Sequence, residues 1–187
     1  MSKLGLCLLV ISCLQRIGLA QEAAAVGASA TCDAHLWNFV YNPSRLPAKG
    51  DCRAVTGKIR NFVAESDGDY HIRFLPDDKS LVNAENIRQQ GGALVVEPIC
   101  QNTPTQADAK KPCQGYDGPK FGMATFCPGA ANTPPASPVN KQGKTYTCKK
   151  PPPIRISGYY TIDNDHGWME LHTVTKIELS GPTNEVN

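Results

Sequence analysis

Six cysteines lie beyond residue 20, at Cys32, Cys52, Cys100, Cys113, Cys127 and Cys148. Nothing else constrains the fold as strongly. No two of them form a C-x₂-C pair, so the spacing speaks against a zinc ribbon. An even set in an exported chain reads as three disulfides. The sequence does not fix their connectivity. Pairing of neighbours is the expectation: Cys32–Cys52, Cys100–Cys113 and Cys127–Cys148. Each bridge would close a short loop and contribute about 2–4 kcal/mol.

The export reading comes from residues 1–20. Lys3 gives a positive start, Leu4 to Leu14 is apolar, and Gly18-Leu19-Ala20 offers small residues for cleavage after Ala20. Cys7 and Cys13 leave with this leader. The protein is then secreted or periplasmic. A second possibility stays open: Val10-Ile11-Ser12-Cys13 is lipobox-like, and Cys13 would become a lipidated anchor. No other stretch is long and apolar enough for a transmembrane helix. Of 19 basic and 17 acidic residues, Lys3 and Arg16 fall in the leader, so the remainder carries no net charge. That speaks against a nucleic-acid partner, which needs a basic face. Ala-rich residues 21–31 read as a disordered lead-in, 32–180 as one domain and 181–187 as a tail.

Within the domain, alternation marks strands. Val55, Gly57 and Ile59, with Val63 further on, alternate with polar residues over 54–64. Tyr70, Ile72 and Phe74 do so over 69–75. Residues 83–90 read as a short helix closed by Gly91-Gly92, and 93–99 as a third strand. Residues 101–153 hold ten of the fifteen prolines and read as an inserted loop. Its seven Lys against two Asp make it a solvated surface or a docking surface for an acidic partner. Strands over 154–162 and 168–179 follow. Cys32 to Pro47 has aromatics without a period and reads as an N-terminal clamp across the barrel. The predicted fold is mainly β: a five-stranded OB-like barrel with one short helix, a disulfide-braced clamp and a long insertion before strand four. Ligands of such barrels sit on the strand 2–3 face and at the loops joining strands one to two and four to five.

Tyr41-Asn42-Pro43-Ser44-Arg45-Leu46, Val55-Thr56-Gly57, Asp67-Gly68-Asp69-Tyr70-His71, Leu94-Val95-Val96-Glu97-Pro98 and His166-Gly167-Trp168-Met169-Glu170-Leu171-His172 occur in that order. Together they resemble a family of exported bacterial proteins of uncharacterised function, between about Cys32 and Ile177. The resemblance implies a compartment and a shared site, but no activity. It also implies that Cys127 and Cys148 belong to an added loop.

Two polar turns, Asp67-Gly68-Asp69 and Asp163 to Gly167, fall at the two ligand loops of the predicted barrel, which would bring them to one rim. A ligand face of His71, Arg73, Tyr159, Trp168, Glu170 and His172 is expected. Trp168, Tyr159 and Arg73 suit stacking on a sugar or base. His71, His166, Glu170 and His172 are ligand types for a divalent transition metal. The same turns also fit ordinary hairpin chemistry. The leading reading is an exported binding or interaction module without turnover, for an unidentified small molecule, glycan or protein. The alternatives are a metal-dependent hydrolase using His71, His166, Glu170 and His172, or a structural envelope protein. Asp67-Gly68-Asp69 resembles the acidic turn of the thermonuclease family, but the Arg-rich continuation of that family is not present.

Overall fold

The structure is a computed structural model that describes residues 30–47, 49–130 and 144–181. The expected leader with Cys13, most of the expected lead-in and residues 182–187 lie outside those residues. The strands are β1 (Asp51–Ala64), β2 (Tyr70–Pro76), β3 (Leu94–Val96), β4 (Lys144–Thr147), β5 (Ile154–Ile162) and β6 (Met169–Leu179). The helices are α1 (Ala84–Gln90) and α2 (Met123–Phe126), with short 3₁₀ turns at Ala34–Phe39, Pro43–Arg45 and Lys79–Leu81.

β1 pairs antiparallel with both β2 and β5. β2 pairs with β3, β5 with β6, and β3 closes the ring by running parallel to β6. The result is a closed five-stranded barrel of the OB type, β1-β2-β3-β6-β5. Closure covers most of the edges that a short β protein would otherwise expose; the distal half of β1 keeps one, which β4 takes. Ile59, Ile72, Phe74, Leu94, Ile154, Ile156 and Leu171 fill its interior, all fully buried.

β1 departs from strict alternation. Its register with β2 slips between Ile59 and Asn61. The bulge changes which side chains face inward, so Phe62 joins the core and Val63 does not. Gly57 is set where β1 crosses closest to β2: a Cβ there would lie 2.2 Å from the Leu75 carbonyl oxygen and 2.8 Å from the Phe74 ring. Gly57→Ala should therefore cost about 1–3 kcal/mol by overpacking, read as a lower urea midpoint at unchanged slope.

α1 begins with a capping box between Asn83 and Asn86 and ends on Gly91 in the left-handed region (φ 59°). Buried Asn86 then donates to the Met169 carbonyl and accepts from the Met169 N–H, which pins the helix to the start of β6. The third strand is shorter than its apolar run, because Pro98 has no N–H to offer a ladder.

The segment 101–153 is not all loop. It contains α2, and β4 pairs with the distal half of β1 outside the barrel. The Tyr146 ring stacks on Phe62 with centroids 4.8 Å apart. The three bridges are Cys32–Cys52, Cys100–Cys113 and Cys127–Cys148. The first ties down the clamp, whose Asp33 N–H donates to Thr175 Oγ1 of β6. Leu36, Val40 and Leu46 of the clamp form a second core with Ile99 and Cys100. The clamp thus seals the outer face of β6, and residues 170–174 are buried on both sides.

Candidate functional site

A charged residue at a fully covered strand position must find partners or change its protonation state. β6 sets Trp168, Glu170 and His172 on its outer face, under the clamp. All three are buried. They meet Glu97, which follows β3 and is buried as well. Glu97 Oε2 lies 3.0 Å from His172 Nδ1, and its other oxygen lies 3.2 Å from His71 Nδ1 on β2. Glu170 Oε1 lies 3.2 Å from His172 Nδ1, and Trp168 Nε1 donates to Glu170 Oε2 (3.0 Å). Two imidazoles from different strands therefore share one carboxylate.

Arg45 brings the clamp into this cluster. Its Nη2 donates to Glu97 Oε2 (2.9 Å), its Nη1 to Asp163 Oδ2 (2.6 Å), and Nη1 lies 3.7 Å from Glu170 Oε1. Glu65 stands on the other side of Glu97: Glu65, His71 and Glu97 each offer a ligand atom within 4.8 Å of the others. Glu97, Glu170 and His172 form a second such trio, entirely buried. A third, Asp69 with Cys100 and Cys113, is excluded as a metal site because both sulfurs are in a disulfide.

Burial alone would push Glu97 upward. The adjacent His172 and His71 imidazoles and the Arg45 charge outweigh it and hold the carboxyl well below its usual range. Burial also opposes charge on His172, but Glu170 and Glu97 push its pKa up to about 10. His71 is raised against its own burial by Glu97. Burial, with the Glu97 charge added, raises Glu170, and the same pair of causes takes Glu65 up to about 8. Arg45 loses from burial but is held protonated by Glu97 and Glu170.

The distances and the directions of the contacts around His172 differ in what they imply. The Glu97 and Glu170 oxygens are at hydrogen-bonding distance from Nδ1 and close enough to raise its pKa, yet neither is aligned with the ring N–H, so Glu170 Oε1 and both ring nitrogens lack a well-directed hydrogen bond. The contacts are ion pairs set off the N–H direction. Metal–ligand bonds of about 2.0–2.2 Å put neighbouring ligand atoms about 3.0–3.4 Å apart. His172 Nδ1 has that spacing to both carboxylate oxygens, and the two oxygens lie within 4.8 Å of each other.

The expected site residues divide into two groups. His71, Trp168, Glu170 and His172 converge, with Glu97 as the hub. His71 is buried rather than on an open face, and Trp168 is packed away, not presented as a stacking platform: its ring lies 5.7 Å from His71 and stacks on His166 at 4.0 Å. His166 is half-exposed and bonds Asp163. Arg73 is turned to Gln90 Oε1 (2.7 Å), and Tyr159 packs edge-on against Trp37. Neither reaches the cluster. The two acidic turns lie toward opposite ends of β1: one follows Ala64, and the other joins β5 to β6 just after Tyr160, the partner of Asp51. Arg45 connects Asp163 to the histidines. Asp69 instead accepts from the Cys100 N–H.

Sequence reasoning missed Glu97, Arg45, Glu65 and the anchoring role of Asp163. The signal for Glu97 was present: a carboxylate interrupting the apolar run from Leu94 to Ile99. Comparison with family models, with curated proteins and with solved structures returns no match.

Proposed function

We propose that this chain is an exported, disulfide-braced binding module whose buried Glu97–Glu170–His172 site takes a divalent transition-metal ion. His71 and Glu65 support Glu97 from one side and Arg45 orients it from the other. The observation that carries this reading is His172. It is fully buried, two carboxylate oxygens flank Nδ1 at 3.0 and 3.2 Å, and neither lies along the ring N–H direction. Buried polar atoms without well-directed hydrogen bonds call for an explanation, and coordination of an ion supplies one. A mixed imidazole and carboxylate set suits zinc, iron or manganese. The leader and the three disulfides support an oxidising compartment, and the motif resemblance supports a place among exported bacterial proteins.

Binding is favoured over metal-dependent hydrolysis by access. Two cavities among the described residues, of about 720 and 330 Å³, are lined by none of the cluster side chains. Glu97, Glu170 and His172 are all buried, which suits a sealed ion better than a substrate. A second reading has its own support. Arg45, His71 and His172 already balance Glu97, Asp163 and Glu170, so the network could act as a metal-free lock between clamp and barrel.

Metal analysis separates the two. A sealed site exchanges slowly, so the protein is refolded oxidatively in zinc and then dialysed. About one zinc per chain is expected in the wild type, falling at least tenfold in Glu97→Gln and His172→Ala variants that keep the wild-type circular dichroism. Metal-free wild type from that refolding leaves the lock.

A further inference from the structure

The turn Asp67-Gly68-Asp69 and the lysines of residues 101–122 have no part in the cluster, yet they come together elsewhere. A cavity of about 720 Å³ lies beside the Cys100–Cys113 bridge, with Asn102, Lys110, Lys111, Gln114 and Lys120 in its wall. That volume is within the range of small-molecule sites. No lining residue is acidic. Lys110, Lys111 and Lys120 form no ion pair among the described residues. The nearby carboxylates are engaged elsewhere: Asp108 accepts from Tyr41 Oη, Asp117 faces His35, and Asp69 is buried against the Cys100 N–H. Three lysines therefore line one concavity whose wall holds no acidic side chain.

The wall is held in place before any ligand arrives. The Asn102 N–H donates to the Gly68 carbonyl (2.8 Å), and the N–H groups of Thr105 and Gln106 donate to the Ser66 carbonyl (2.8 and 2.9 Å). Gly68 has a φ of 101°, and a Cβ there would lie 2.8 Å from the Asn102 carbonyl oxygen and 2.9 Å from the Pro104 ring. The turn is a pedestal that only glycine lets the lysine loop approach this closely. Lys120 reaches back to the Cys100 carbonyl and lies 4.9 Å over the Tyr116 ring. The disulfide closes the loop that carries Lys110 and Lys111. Positive side chains carried on a backbone already tied down in a concave wall favour anions, because part of the ordering cost is met before binding.

We infer that this cavity binds a small polyanion, a molecule bearing two or more phosphate, sulfate or carboxylate groups. The inference is independent of the metal reading, since the two sites share no residue. Tripolyphosphate, citrate and a sulfated disaccharide are titrated into the full chain by calorimetry in 20 mM and 150 mM salt. At least one should bind, more weakly at the higher salt, and the one that binds best separates a phosphorylated source from an acidic sugar. Lys110→Glu with Lys111→Glu should weaken that binding about 30-fold, as expected when two charges near the ligand are reversed. Lys149→Glu with Lys150→Glu, which changes net charge equally away from the cavity, should leave it within about twofold. No binding of any of the three at millimolar concentration in low salt overturns the inference. An equal loss in both double variants also overturns it, since net charge alone would then explain the binding.

Discussion

Replacing Arg45 by methionine should lower the folding stability by about 3–5 kcal/mol, the cost of stripping one partner from a buried ion pair. The length and apolar volume of the side chain are roughly kept, so the loss reports charge and hydrogen bonds more than packing. Arg45 bonds Glu97 and Asp163 and neighbours Glu170. Without it, three carboxyl groups in a sealed site face only two imidazoles. Urea unfolding of oxidised protein measures the effect as a lower midpoint with an unchanged slope. Glu97→Gln placed on the Arg45→Met background should recover part of the loss, because it removes the stranded charge. A double-mutant cycle then gives an interaction energy of about 1–3 kcal/mol. Strict additivity of the two changes would show that Arg45 and Glu97 act separately.

The same substitution should move acid unfolding to higher pH. Glu97 is depressed in the folded state, so its contribution is present above the ordinary Glu value of about 4.3 and is lost as pH falls through the folded value. Arg45 is one of the causes of that depression. Removing it raises the folded pKa, shrinks the contribution at neutral pH and starts the loss earlier on acidification.

How much of this was legible in the chain follows from what each feature depends on. Alternation at Val55-Gly57-Ile59 and at Tyr70-Ile72-Phe74 is a local property, so these strands could be read directly. The bulge after Ile59 could not, because it arises from pairing with β2. Lys144 to Thr147 is too short a signal to stand out, and it becomes a strand only because β1 leaves it an edge. Glu170 and His172 were visible as two polar groups on one strand face. That their face is closed depends on the clamp, whose Trp37 and Leu36 carry no period. Arg45 gave no sign at all: an arginine after Asn42-Pro43-Ser44 looks like any turn residue until Asp163, 118 positions later, is brought to it.

Zinc-loaded protein should melt about 8–16 °C above the same protein refolded in chelator. Linkage gives about 4.1 kcal/mol when zinc stands at a thousand times its dissociation constant, and each kcal/mol is worth about 2–4 °C in a domain of this size. The effect should be large because binding relieves a cost already present in the metal-free fold. Glu170 Oε1 and the His172 ring nitrogens are buried without hydrogen bonds there, and an ion would use Nδ1 and that oxygen directly. The chelator must not be a reducing agent, since loss of Cys32–Cys52 would free the clamp and lower the melting temperature for an unrelated reason. Glu97→Gln should melt at one temperature with or without zinc. His166→Ala should keep the full zinc shift, because that ring is half-exposed and bonds Asp163 outside the trio. Manganese should shift the wild type less than zinc, since affinity of such mixed nitrogen and oxygen sites rises along the first transition row. Equal melting of loaded and chelated wild type would return the cluster to its electrostatic role alone, with Arg45, His71 and His172 as its cations.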